Sequence, residues 1–152
     1  MPSRLHSVFV YGTLLAPEVL QTLLNRVPKH VPARLEGYIR HPVKGLVYPG
    51  LVAASENDRS SSTSGLLLSG LSQSDMRVLD WFEDDQYTRR HVQVQLEDGT
   101  DESTQVYLWC SPMEELHLGE IWSYERFRTE NLEWYLVNTV QPCRKSLDEL
   151  DY

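Results

Sequence analysis

Ser7-Val8-Phe9-Val10-Tyr11-Gly12-Thr13-Leu14 is the stretch from which the fold can be read. Its first five residues are β-branched or aromatic almost without interruption, and the run halts at a glycine, the pattern of a strand feeding a tight turn. A helix is expected next. Pro17 suits a first helical turn and Glu18 complements the helix dipole. Leu20, Leu23, Leu24 and Val27 recur at i, i+3, i+4 and i+7, so these four form the expected buried stripe.

Further along, Pro28 and Pro32 bound a connection. Residues 33–40 and 43–48 read as short strands interrupted by His41-Pro42, and Pro49-Gly50 reads as a type II turn. The serine-rich segment SENDRSSSTS (55–64) reads as a surface loop within one core. Residues 65–71 form another strand, and Ser72 with Asp75 three residues on is a variant capping box that opens a second helix. Residues 86–96 and 104–110 fit a hairpin around Asp98-Gly99. Residues 124–140, rich in Trp, Tyr and Leu, read as a final helix, with 141–152 a flexible charged tail. Strands interleaved with a few helices and joined by hairpins predict an α+β fold: a small, mostly antiparallel, barrel-like sheet with flanking helices, in one domain over 1–152.

The whole-chain numbers bound the function. With 152 residues, 41% hydrophobic and 24% charged, the chain is long enough to bury a real core. Its net charge of −8 is uneven: residues 1–50 carry six Lys/Arg against two Asp/Glu, leaving eight against twenty for the rest. An acidic chain without a basic run argues against nucleic acid, whose binding rests on phosphate neutralisation. No apolar run reaches membrane-spanning length, so no membrane partner is expected and the location is read as cytoplasmic. The two cysteines, Cys110 and Cys143, lack metal-site spacing and are expected to stay reduced, with Cys110 buried at a strand end. His6, His30, His41, His91 and His117 show no ligand spacing, so neither a metal nor a cofactor is expected. Trp81, Trp109, Trp122 and Trp134 are expected in the core. The oligomeric state stays open.

Two features carry chemistry. On the second helix Met76, Leu79 and Glu83 fall at i, i+3 and i+7, which places the carboxylate on the apolar stripe, facing inward. Burial and the negative end of the helix dipole would raise its pKa from about 4.3 towards neutrality, where a general base and acid works best. The alternative is a structural ion pair between Glu83 and Arg89 or Arg90. The second feature is Tyr11-Gly12-Thr13-Leu14. A glycine between strand and helix lets successive N–H groups converge on an anion, with the following helix adding its own free N–H groups. The alternative is that Gly12 does no more than make a turn, and the motif is too short to decide by itself.

VFVYGTL (8–14), YPGLV (48–52), LDWFEDDQYTRR (79–90) and QVYLW (105–109), in this order and spacing, closely resemble the γ-glutamylcyclotransferase-like family. The resemblance covers about residues 7–140 and is strongest to the plant avirulence-induced-gene-type branch, which is similar to γ-glutamylamine cyclotransferases. It implies a small barrel with flanking helices and a single catalytic glutamate, Glu83. It also implies a loop, Tyr11, Gly12, Thr13 and Leu14 with Leu15 and Ala16 at its edge, that binds a small-molecule γ-glutamyl substrate. The expected reaction is attack of the substrate's own α-amine on its γ-carbonyl, giving 5-oxoproline and a free amine or amino acid, with no metal. Two alternatives are a non-catalytic small-molecule-binding module of the same fold and an amide hydrolase in which Glu83 activates water. One departure stands out: Asp84 follows the glutamate, where many relatives have glycine.

Overall fold

The computed structural model describes residues 5–55 and 61–150. The strands are β1 His6–Val10, β2 Lys29–Glu36, β3 Tyr38–Pro42, β4 Pro49–Ala53, β5 Ser62–Leu71, β6 Tyr87–Leu96 and β7 Asp101–Trp109. The helices are α1 Pro17–Leu24, α2 Gln73–Glu83, α3 Tyr124–Glu130, α4 Leu132–Tyr135 and α5 Gln141–Leu150. A closed barrel runs in the order β1-β5-β2-β6-β7, and β3 and β4 form a separate two-stranded sheet. The barrel pairings are antiparallel apart from the closing one, where β1 meets β7 in parallel at Phe9 and Val106. The α+β barrel with flanking helices expected from the sequence is therefore the fold.

The apolar run of β1 follows from its position. Phe9 and Tyr11 point into the barrel with Ala33, Leu35, Leu51, Leu67, Val94 and Val106. Val8 and Val10 point the other way, into a second core with Leu20 and Leu23 of α1 and Met76 and Leu79 of α2. A strand covered on both faces loses the polar alternation of a half-exposed one. β5 behaves likewise: Leu67 faces the barrel, while Leu68 and Leu71 face the helices.

Several local expectations are corrected. α1 stops at Leu24 because Asn25 turns left-handed (φ 61°), so its buried stripe is Val19, Leu20, Leu23 and Leu24, and Val27 is 39% exposed. β2 runs through Pro32, which is tolerated because β6 pairs only with Ala33 and Arg34 and asks for no N–H at that position. The Val43–Tyr48 segment is a turn, with Gly45 at φ +76°, while Pro49-Gly50 opens β4. Gly50 is needed there for close approach, since a Cβ would lie 2.9 Å from the Trp109 ring. Part of the serine-rich loop lies outside the described residues, and β5 begins within it at Ser62.

The C-terminal region departs most. The single helix expected over 124–140 breaks at Asn131 (φ −131°) and contains a π-helical turn, Leu136–Val140, in which the Gln141 N–H reaches back to the Leu136 carbonyl. Pro142 follows directly; it has no N–H for the Asn138 carbonyl, which favours a register change here. The expected tail is instead α5 as far as Leu150. Leu147 is buried, and Arg144 donates to the Leu23 carbonyl at 2.9 Å, docking α5 on α1.

Barrel closure leaves no room at Gly65, where a Cβ would sit 2.1 Å from the Val10 carbonyl oxygen and 2.9 Å from the Phe9 ring. Gly65→Ala is expected to cost about 1–3 kcal/mol or more, measured by chemical denaturation, with the loss spread over the β1–β5 pairing.

Candidate active site

Glu83 is held in place from the far end of its helix. The Ser72 hydroxyl accepts from the Asp75 N–H at 3.0 Å and the Asp75 carboxylate accepts from the Ser72 N–H at 2.9 Å, closing the capping box expected from the sequence. Arg26 grips the same carboxylate with two guanidinium nitrogens, at 3.0 and 2.7 Å, tying the end of α1 to the start of α2. Met76 and Leu79 are buried, and the stripe they define ends on Glu83, the last residue of α2, at a cavity of about 170 Å³.

The cavity lies where the barrel meets the helices. Tyr11, Gly12, Thr13 and Leu14 form one wall, Tyr48 and Pro49 a second, and Phe82 to Asp84 with Gln86 and Tyr87 a third; Tyr107, Tyr135 and Thr139 complete it. Leu15 and Ala16, expected at the loop's edge, do not line it. Ala16 is buried beneath the start of α1, and Leu15 faces a shallow groove beside Trp122.

The cavity's tyrosine hydroxyls are committed to partners. Tyr11 donates to the Tyr107 carbonyl at 2.5 Å, Tyr87 to the Pro49 carbonyl at 2.6 Å, Tyr48 to the Gln86 side chain at 2.8 Å and Tyr107 to Asp80 at 2.7 Å. The Tyr135 and Thr13 hydroxyls lie 3.3 Å apart. Burial holds the phenols of Tyr11, Tyr87, Tyr107 and Tyr135 well above their usual range, so they stay neutral. The Glu83 carboxylate has no such partner: none of the described residues hydrogen-bonds or ion-pairs with it. Arg89 turns to Asp80 instead, at 3.1 Å, which removes the structural ion pair as an account of Glu83. Glu83 is half-buried by surface, yet packed protein desolvates its carboxylate, and this burial, helped by the Asp80 charge one turn away, raises its pKa to about 8.

The Tyr11–Leu14 loop also differs in detail from expectation. Gly12 is not left-handed (φ −123°, ψ −131°); it is required by the close approach of Pro49, 3.0 Å from where a Cβ would be. A 3-10 turn, Thr13–Leu15, stands between the loop and α1, so the loop does not feed directly into the helix. The Leu15 and Ala16 N–H groups are used within the turn, at 3.0 and 3.2 Å, whereas those of Gly12, Thr13 and Leu14 meet no backbone acceptor among the described residues.

The sequence reading missed most of the cavity's aromatic wall, although the chain's eight tyrosines were a signal: five of them, Tyr11, Tyr48, Tyr87, Tyr107 and Tyr135, line this one space. Other expectations fail at the surface. Trp109 and Trp122 are buried, but Trp81 and Trp134 are 42% and 58% exposed. Cys110 is exposed, its thiol 3.3 Å from the Asp85 carbonyl, and both cysteines are free. No three His, Cys, Asp or Glu residues among those described are grouped to hold a metal, and no described helix is long and apolar enough to cross a membrane.

Burial of Glu83 has a thermodynamic signature that needs no substrate. A carboxyl whose folded pKa is raised keeps its proton after the unfolded chain has lost it, so its ionisation subtracts stability as pH rises from about 4.5 to about 8. Glu83→Gln removes that penalty. The variant is expected to melt above the wild type at pH 9, with the difference shrinking to nothing near pH 4 in scanning calorimetry. A difference independent of pH would show that the carboxylate is solvated.

Comparison with known proteins agrees with this architecture. AIG2-like protein D of Arabidopsis thaliana is 39% identical over 139 residues, covering 90% of this chain and 88% of the relative. An Arabidopsis thaliana protein solved in solution superposes with a TM-score of 0.68 at 29% identity, covering 99% of this chain and 87% of that one. A yeast γ-glutamyl cyclotransferase specific to glutathione shares the fold at a TM-score of 0.56 and 15% identity, with 97% of each chain covered. Residues 8–128 match the family described as γ-glutamyl cyclotransferase, AIG2-like, and the chain belongs to that family.

Proposed function

We propose that this protein is a γ-glutamyl cyclotransferase in which Glu83 is the only group that moves protons. The observation that carries this reading is a partnerless carboxylate, raised to a pKa of about 8, in the same small cavity as the unused N–H groups of Gly12, Thr13 and Leu14. At about 170 Å³ the cavity is smaller than the roughly 300–1,000 Å³ of sites for drug-sized ligands, so it suits one compact head group with the remainder outside.

In this reading the backbone N–H groups receive the negative oxygens of the γ-glutamyl group, and the tyrosine rings pack its aliphatic stem. Ionised Glu83 takes a proton from the α-ammonium, leaving a neutral amine. The amine nitrogen attacks the γ-carbonyl carbon, and as the five-membered ring closes the C–N bond to the leaving amine breaks. Glu83 hands its proton to that nitrogen, relays the second proton of the new ring nitrogen to the departing amine, which leaves as its ammonium ion, and returns to the carboxylate. The nucleophile belongs to the substrate, so the protein's task is to hold the two ends together, and intramolecular attack makes that effective. Activation of water by Glu83 would yield glutamate in place of 5-oxoproline, and a binding module would yield neither.

Glu83→Gln is expected to leave a folded protein and lower turnover at least a hundredfold, because the amide fills the same volume but cannot carry a proton. Product analysis by mass spectrometry on a panel of γ-glutamyl compounds would measure it; equal activity would sink the assignment. With the wild type, kcat/KM should climb as pH rises towards about 8 and Glu83 ionises, and added EDTA should leave it unchanged.

A further inference from the structure

Asp84 stands at φ 60°, ψ −157°, directly after Glu83. This backbone region is open to glycine and strained for any residue with a Cβ. Asn25, the other described non-glycine residue with positive φ, lies in the ordinary left-handed well at φ 61°, ψ 17°, where asparagine is common. Glycine at 84 would relieve the strain at once, so the carboxylate is what this position has and glycine lacks.

Its surroundings give that carboxylate a task. Of the residues lining the cavity, Asp84 alone is exposed; the others are buried or half-buried. The cavity therefore meets solvent beside Asp84, where the part of a substrate too large for it must emerge. No lysine or arginine lines the cavity, so nothing there neutralises an anion on the emerging group. The end of α2, through Phe82 and Glu83, and the C-terminal helical region, through Tyr135 and Thr139, line the same cavity as Asp84.

We propose that Asp84 is a specificity-determining residue, favouring leaving amines that carry a second, remote positive charge and disfavouring those that carry a carboxylate. This rests on the cyclotransfer reading of the cavity. The interaction is exposed and correspondingly modest: a solvated ion pair changes an equilibrium or rate ratio by up to about fivefold.

Three substrates of matched length isolate the charge: the γ-glutamyl conjugates of putrescine, butylamine and γ-aminobutyrate. In the wild type, kcat/KM is expected to fall in that order by up to about fivefold per step at low salt, and the order should compress at high ionic strength. Asp84→Asn keeps the shape and the backbone strain while removing the charge, so the three values should converge. Asp84→Gly should also flatten the order and raise Tm by roughly 2–6 °C, as strain relief exceeds the added freedom of the unfolded chain. Calorimetric binding to Glu83→Gln, alone and combined with Asp84→Asn, gives the same comparison without turnover. No binding and no turnover of any conjugate would sink the cyclotransfer reading and the Asp84 assignment with it. Turnover or binding with no charge order, or an order that survives Asp84→Asn, would overturn the Asp84 assignment alone.

Discussion

Everything at the cavity depends on β1 being covered on both faces and paired on both edges. Val8 and Val10 anchor it to the helices, Phe9 and Tyr11 to the barrel, with β5 along one edge and β7 along the other. A strand held in four directions cannot slip in register without moving an entire set of side chains to the wrong core. The backbone leaving its end is thus delivered in one conformation. Arg40 secures it further by donating to the Tyr11 carbonyl at 2.6 Å. Gly12, Thr13 and Leu14, whose N–H groups are free of backbone acceptors among the described residues, inherit their place in the cavity wall from this packing.

Glu83 meets the loop from a helix whose phase is set ten residues earlier. The capping box and the Arg26 clamp fix where α2 begins, and burial of Met76 and Leu79 fixes which way it faces. A carboxylate is then carried into a desolvated position that opposes its own ionisation. Such a placement lowers stability above neutral pH and raises proton affinity in the same stroke, the usual relation between strain at a site and its chemistry. The neighbouring polar groups are arranged so as not to relieve it: Arg89 is engaged by Asp80, and the tyrosine hydroxyls donate to fixed acceptors. Asp84 extends the pattern by one residue, from side-chain desolvation to backbone strain.

What could be read in advance was whatever short-range patterning controls. The β1 run, the Ser72–Asp75 box, the Asp98-Gly99 turn between β6 and β7 and the placement of Glu83 on an apolar stripe each lie within about a dozen residues, and the barrel-like α+β class followed from them. The errors share one cause. Val27 continues the spacing of a helix that ends sooner, Pro49-Gly50 has the composition of a turn but opens a strand packed against Gly12 and Trp109, and the expected tail is a helix because Leu147 and Arg144 find partners on other elements.

The amino-acid sequence by itself determined the strand, the loop glycine, the helix and the inward face of Glu83, because periodicity and capping act over one or two turns. Only the tertiary structure decided that five tyrosines share one cavity, that Arg89 serves Asp80 and leaves Glu83 unpaired, and that Asp84 takes a conformation proper to glycine. The shared cavity depends on contacts between residues distant along the chain, such as Tyr11 with Tyr107 and Thr13 with Tyr135, 96 and 122 positions apart. At such separations no local pattern records who the neighbour will be, and closure of the barrel around β1 selects it.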